Sequence, residues 1–405
     1  MPARPPLPAI VTALNLNGLG VARALGRHGV PVIGIHGDEA SFELRSRYLQ
    51  QRWPRGDRAE DLLTLLRAKG PSFAERPVLI PITDESVGLV ADHLDELRRW
   101  FRIAMPAPDV VHELLDKERM RAVAERLGVA VPRTWHVRGR ADFDKAAAET
   151  SYPCILKPTS KDEAWQAAGL RKAYVLGSRD ELRDLWTRVE GTGAEVVVQQ
   201  FVPGGDDEIY FTLLYCKHGG HTDAVFSGRK LRQWQPHCGG TSASEPVDVP
   251  ALDDAARQFF AAVGMHGLCS LEYKRDPRDG VYYMIEPTVC RPDWQNGVAD
   301  HNGVPLAWVA YCDLAELPAP AVRRPRRARR WVYWSWDTQA AAYYRRRGEL
   351  GLLAWLWSIR PPVRGAVFAL DDLGPWLATV GAAWRRLGQK VARWFGGGPV
   401  AEKAA

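Results

Sequence analysis

Short apolar runs alternate with amphipathic stretches through the first quarter of the chain. Residues 9–14, 30–36 and 78–82 predict strands, and residues 21–28, 61–69 and 86–99 predict helices. This βαβ rhythm implies an open parallel sheet. Residues 15–20 predict the turn between the first strand and its helix. After a break at 106–109, the pattern predicts helices at 117–127, 180–189 and 255–263. It predicts strands at 153–158 and 195–201, and antiparallel strands at 209–216 and 224–227 around a turn at 218–222. Residues 269–274 and 281–286 predict a hairpin around 276–280. A Pro-rich linker at 317–325 leads to a tail with an apolar segment at 350–359. Residues 376–395 follow, with Leu377, Val380, Trp384, Leu387, Val391 and Trp394 at helical spacing. No internal repeat or low-complexity tract interrupts the pattern.

Composition narrows the class without naming a function. Of 405 residues, 46% are hydrophobic and 25% charged, which excludes wholesale disorder and a collagen-like chain. No apolar run approaches the roughly 20 residues that span a bilayer. The opening residues lack a cationic segment followed by a long apolar one, so no signal peptide is expected. Cys154, Cys216, Cys238, Cys269, Cys290 and Cys312 are scattered and form no CxxC pair. They fit small buried residues in a reducing cytoplasm. The net charge of +6 is uneven. From Arg323 onward there are 14 Arg and 2 Lys against 2 Glu and 3 Asp, or +11, leaving −5 on residues 1–322. The same tail holds 8 of the 16 tryptophans.

Four features in fixed order carry the chemistry. The first is Lys157 on a strand, a positionable charge for phosphate oxygens. The second is a strand running into a turn: Gln199, Gln200, Phe201, Val202 and then Glu208. Its backbone can pair with an adenine edge, Phe201 and Val202 can cover the ring, and Glu208 can accept from ribose hydroxyls. The third is the basic segment with Arg229, Lys230 and Arg232, suited to a triphosphate or acyl phosphate. The fourth is the hairpin bearing Glu272 and Glu286, suited to Mg²⁺. Each alone also fits a solvated surface; order and spacing give them force. Asn15 to Gly20 could offer backbone N–H groups to a substrate carboxylate or form only a tight βα turn. Asp84 and Glu85 could bind a substrate amine or cap the following helix, the cap being favoured for at least one. Cys290 has no histidine partner at a telling spacing and is expected to be passive.

With these residues in place, the sequence resembles the ATP-grasp superfamily, in its carboxylate–amine ligase branch, from about residue 9 to 314. The matching motifs are Asp116-Lys117, the Lys157 strand, the hinge Gln199-Gln200-Phe201-Val202-Pro203-Gly204 with Glu208, and the acid pair Glu272 and Glu286. The resemblance implies an α/β (α+β) ATP-grasp fold with three parts. Residues 1–108 would be a βαβ pre-ATP-grasp domain on the substrate side. Residues 109–198 would be an ATP lid and 199–316 a C-terminal ATP-grasp subdomain with the metal site. Beyond the resemblance, the charge and apolar spacing of 317–405 predict a basic Trp-rich helical extension. The resemblance also implies an ADP-forming ligase dependent on ATP and Mg²⁺, with Mn²⁺ as the alternative metal. A carboxylate would be activated as its acyl phosphate and joined to an amine: an amino acid, a peptide or an amino sugar. Lys117 and Lys157 would hold the α- and β-phosphates. Glu272, Glu286 and Thr288 would hold the metal. Arg229, Lys230 and Arg291 would act on the transferred group.

Three departures from the family pattern stand out. Thr288 occupies the usual asparagine position and Arg291 falls one place late. The loop after Lys157 is poor in glycine, so Lys161, Arg171 or Lys172 would cover the phosphates. Gln200 replaces the usual hinge glutamate. Asp293, Trp294 and Gln295 would line the substrate pocket. A non-catalytic nucleotide-binding protein is the alternative.

For residues 323–405, three readings stay open: packing on the body, contact with the inner face of an anionic membrane, or single-strand nucleic-acid binding. No nucleic-acid motif supports the last, and no nucleic-acid partner is expected. A second alternative puts the function in this tail.

Overall fold

The computed structural model describes residues 6–159, 165, 167–171, 173–222, 224–237 and 239–395. It divides the chain into two compact units. The first comprises Met1–Met120, Phe211–Leu271 and Pro287–Ala405; the second comprises Arg121–Tyr210 and Glu272–Glu286.

In the first unit, β1 (Ala9–Val11), β2 (Val32–His36), β3 (Leu49–Pro54) and β4 (Val78–Ile80) form a parallel sheet in the order β3-β2-β1-β4. β1 and β2 are wholly buried, as expected of a sheet covered on both faces. The helix after β1 runs Leu16–Gly26, five residues earlier than the apolar spacing indicates. Asn15 is its N-cap, and the Asn15 side chain accepts from the N–H groups of Asn17 and Gly18. The expected tight turn at 15–20 is therefore the helix's first turn. Gly18 is required there, because a Cβ would lie 2.0 Å from the Ala13 carbonyl oxygen. The helix predicted over 86–99 is two, Asp84–Asp92 and Leu94–Leu97, broken at His93.

A seven-stranded sheet follows, in the order β13-β12-β9-β10-β11-β14-β15. Its strands are β9 (Ile209–Cys216), β10 (Ala224–Trp234), β11 (Gly240–Pro246), β12 (Gly267–Arg275), β13 (Tyr282–Val289), β14 (Arg330–Val332) and β15 (Val363–Gly365). β10 extends seven residues past the predicted end, taking the basic segment into the sheet. The C-terminal region is more than helices. β14 pairs antiparallel with β11, and β15 pairs parallel with β14. Two buried ion pairs tie this region to the rest of the unit. Arg23 meets Asp372 at 2.9 Å, and Arg232 meets Asp337 at 2.7 Å. Asp372 also accepts from the Ser46 hydroxyl and the Arg47 N–H, so its desolvation is offset by several partners.

The second unit is built on a four-stranded sheet in the order β5-β8-β6-β7. Its strands are β5 (Thr134–Val137), β6 (Cys154–Pro158), β7 (Tyr174–Leu176) and β8 (Val196–Gln200). Cys154, Leu156, Val196 and Val198 pack on one face with Phe143, Leu182 and Trp186 from the helices Arg140–Glu149 and Arg179–Glu190. The other face is half-buried and carries Lys157 and Gln199.

Candidate functional site

In the second unit, strand register places the candidate nucleotide-binding residues. Lys157 on β6 lies opposite Val197 on β8. Side chains alternate along a strand, so Gln199 shares the face of Lys157. Lys157 Nζ donates to Gln199 Oε1 at 3.0 Å, and Gln199 Nε2 donates to the Thr134 hydroxyl at 2.8 Å. This row lies on the half-buried face away from the core. Gln200 is tied to the backbone at Arg133. Its side-chain oxygen accepts the Arg133 N–H at 3.2 Å, while its own N–H donates to the Arg133 carbonyl. The side chain thereby pins the strand end.

Phe201 and the buried Val202 follow in irregular backbone. The turn to Glu208 is held by two cations absent from the sequence reading. Lys274 Nζ donates to the carbonyls of Gly204 and Gly205, and Arg275 pairs with Glu208 at 3.4 Å. Gly204 has φ of +104°, and a Cβ there would crowd Glu208, so glycine is required on two counts. The signal for the cations was the Lys274-Arg275 pair closing β12, whose reach to the turn depends on register. Glu272 is half-buried on β12, and Glu286 is exposed on β13, its neighbour in the sheet. Both offer carboxylate oxygens, the donor type Mg²⁺ takes, but no group of three or more His, Cys, Asp or Glu side chains that could hold a metal is found among the described residues. Among the phosphate-covering candidates, Arg171 is exposed beside the Tyr174 ring; Lys161 and Lys172 lie outside the described residues.

In the first unit, Lys117 opens the helix Lys117–Arg126 and is exposed. Asp116 Oδ1 accepts from the N–H groups of Glu118 and Arg119, capping that helix. The basic residues of β10 part company. Arg229 makes a two-nitrogen contact with Glu245, which also receives Arg330. Glu245 thus bridges two guanidiniums. Lys230 is buried and donates to Gln233 at 3.2 Å. Arg232 is enclosed by Asp337 and Ser358, so it holds the C-terminal helices instead of a phosphate.

Arg291 Nε donates to Asp84 at 2.6 Å. Asp84 begins the helix after β4, whose cap is Thr83; neither Asp84 nor Glu85 is the cap. Pro292 O accepts from the Asn17 side chain, in the helix after β1. The Arg291 loop therefore reaches the helices that follow β1 and β4. Between these strands the order of the parallel sheet reverses, the usual position of a ligand crevice in an open α/β sheet.

Thr288 is buried and donates to Asp293 at 3.1 Å; Ser270 donates to the same carboxylate oxygen. Asp293 is thus the charged oxygen group beside the position where asparagine was expected. Trp294 stacks on Trp336 and donates to Thr241 O, and Gln295 is buried, so both support the loop. Burial pushes the Cys290 thiol up, consistent with a passive residue.

No family model matches the chain. Its sequence is 23% identical over 236 residues to D-aspartate ligase of Enterococcus faecium, covering 56% of each chain. It is 26% identical over 205 residues to D-alanine–D-alanine ligase of Pseudomonas fluorescens, covering 48% of this chain and 57% of that one. The chain thus spans little more than half the length of these curated relatives. Its structure is similar to N5-carboxyaminoimidazole ribonucleotide synthetase in an ADP complex, with TM-score 0.61, 15% identity and 79% and 80% of the two chains covered. It is also similar to the L-amino acid ligase of Bacillus licheniformis, with TM-score 0.57, 15% identity and 80% and 78% covered. The chain has the ATP-grasp fold. Both sequence relatives carry the name of ligase.

Proposed function

We propose that the protein is an ADP-forming carboxylate–amine ligase dependent on ATP and Mg²⁺. The observation that carries this reading is the Lys157–Gln199–Thr134 row on the open face of the second unit's sheet, in the same unit as Glu272 and Glu286. In this reading Lys117 and Lys157 hold phosphate oxygens, Gln199 to Val202 receive the adenine, and Glu208 binds the ribose. Glu272, Glu286 and Thr288 are the metal residues. When bound, the metal screens the phosphate oxygens.

The substrate carboxylate takes the terminal phosphoryl group: a carboxylate oxygen bonds to phosphorus as the bond to the departing ADP oxygen breaks. The amine nitrogen then attacks the acyl carbon, phosphate leaves with the C–O bonding pair, and the amine loses a proton. Arg229, Lys230 and Arg291 counter the charge on the transferred group, so the chemistry rests on position and electrostatics. The names of the relatives favour an amino acid as substrate. The amine is an amino acid, a peptide or an amino sugar. The place of action is the cytoplasm, at its membrane face, and nucleic acid is not a partner.

The test is Glu286→Gln in a nucleotide-release assay. A ligase loses about a hundredfold or more of its ADP release while ATP binding persists. A protein that only binds nucleotide has no ADP release to lose.

A further inference from the structure

The C-terminal region sorts its charges by side. Two of its acids are buried against arginines, Asp337 against Arg232 and Asp372 against Arg23, and a third, the exposed Asp371, pairs with Arg27. A fourth, Glu349, pairs with Arg347. Outside remain the exposed Arg323, Arg324, Arg326, Arg327, Arg345 and Arg346. Folding thus makes the surface of this region more cationic than its composition alone.

The same region leaves its apolar residues outside. Of 17 exposed large hydrophobic side chains among the described residues, 11 fall between Trp334 and Trp384. The helix Leu352–Ser358 has no buried residue; Leu353 is 81% exposed and Trp357 67%. The helix Gly374–Phe395 begins against Arg45 and carries Leu377, 56% exposed, and Trp384, 68% exposed, seven residues apart on one stripe. Leu370 is 78% exposed on the approach to it. Scattered apolar exposure needs no explanation, but concentration in one basic region does.

We propose that this surface docks on an anionic lipid bilayer, with Leu353, Trp357, Leu370, Leu377 and Trp384 entering the headgroup boundary and the exposed arginines meeting lipid phosphates. A helix with tryptophan and leucine on one side and arginine off that side suits the interface plane. Clustered arginine gives the preference for anionic lipid. Charge argues against a second copy of this chain, since pairing the face with itself opposes like charges. The leucines argue against nucleic acid, because they offer no ring for a base to stack on. No helix among the described residues is long and apolar enough to cross a membrane, so the mode is peripheral.

The experiment is cosedimentation of the full chain with vesicles of phosphatidylcholine alone and with about one-third phosphatidylglycerol, at physiological salt. Binding should be about tenfold or more tighter to the anionic vesicles. The pairs L353S/W357S and L377S/W384S should each weaken it by about tenfold, with an unchanged melting temperature. Equal affinity for both vesicles, no vesicle binding, binding to a single-stranded oligonucleotide alone, or a dimer abolished by the same substitutions overturns the proposal. ADP release is read in parallel on the same variants, so failure of docking and failure of the ligase reading register separately.

Discussion

At the scale of residues, buried ion pairs place the sharpest demands. Arg23 and Asp372 are nearly fully buried, and Asp372→Ala would leave the guanidinium without its charge partner. The expected loss is about 3–5 kcal/mol, read as a fall in denaturation midpoint. A loss within experimental error would mean that water reaches the pair. His301 makes a second prediction. Burial first, then the nearby charges of Arg27, Arg364, Arg329 and Arg23, push it from 6.5 down to about 3. Between those values the unfolded chain binds a proton that the folded chain does not, so stability falls as pH drops through that window. His301→Gln should flatten that part of a melting-temperature profile against pH. An unchanged slope assigns it to other groups. The sequence pointed to candidate residues but not to what each one touches. Lys157 and Gln199 stood out by their places on two strands, and the register of β6 with β8 puts them on one face. The enclosure of Arg232 by Asp337 was not, because it links positions 105 residues apart.

At the scale of elements, apolar periodicity located most strands near their true positions and failed where caps or edges decide. The first helix was set five residues late because Leu16 to Gly20 looks like a glycine turn until Asn15 is recognised as its cap. β14 was missed because it is only three residues long and starts on the last arginine of a basic run, and pairing with β11, not local pattern, makes it a strand. This changes what a deletion means. Removing residues 323–405 strips β14 from the sheet and takes Asp337, Asp371 and Asp372 from their arginines, so the product should accumulate insolubly. Removing only 386–405 should leave the melting temperature within a few degrees. If the longer deletion folds normally, the C-terminal strands are dispensable to the sheet.

At the scale of the whole molecule, the order of motifs along the chain carried the fold, and the comparisons agree on it. Strand register determined which parts of the motifs meet. A ligase forms ADP only in step with both of its substrates. The most direct measurement is nucleotide release from purified protein with Mg²⁺-ATP against mixed pools of amino acids, peptides and amino sugars, with Lys157→Ala alongside. The expected product is ADP, formed only when a carboxylate and an amine are both present and lost in the variant. AMP as the product, or ADP release that Lys157→Ala leaves intact, would contradict it.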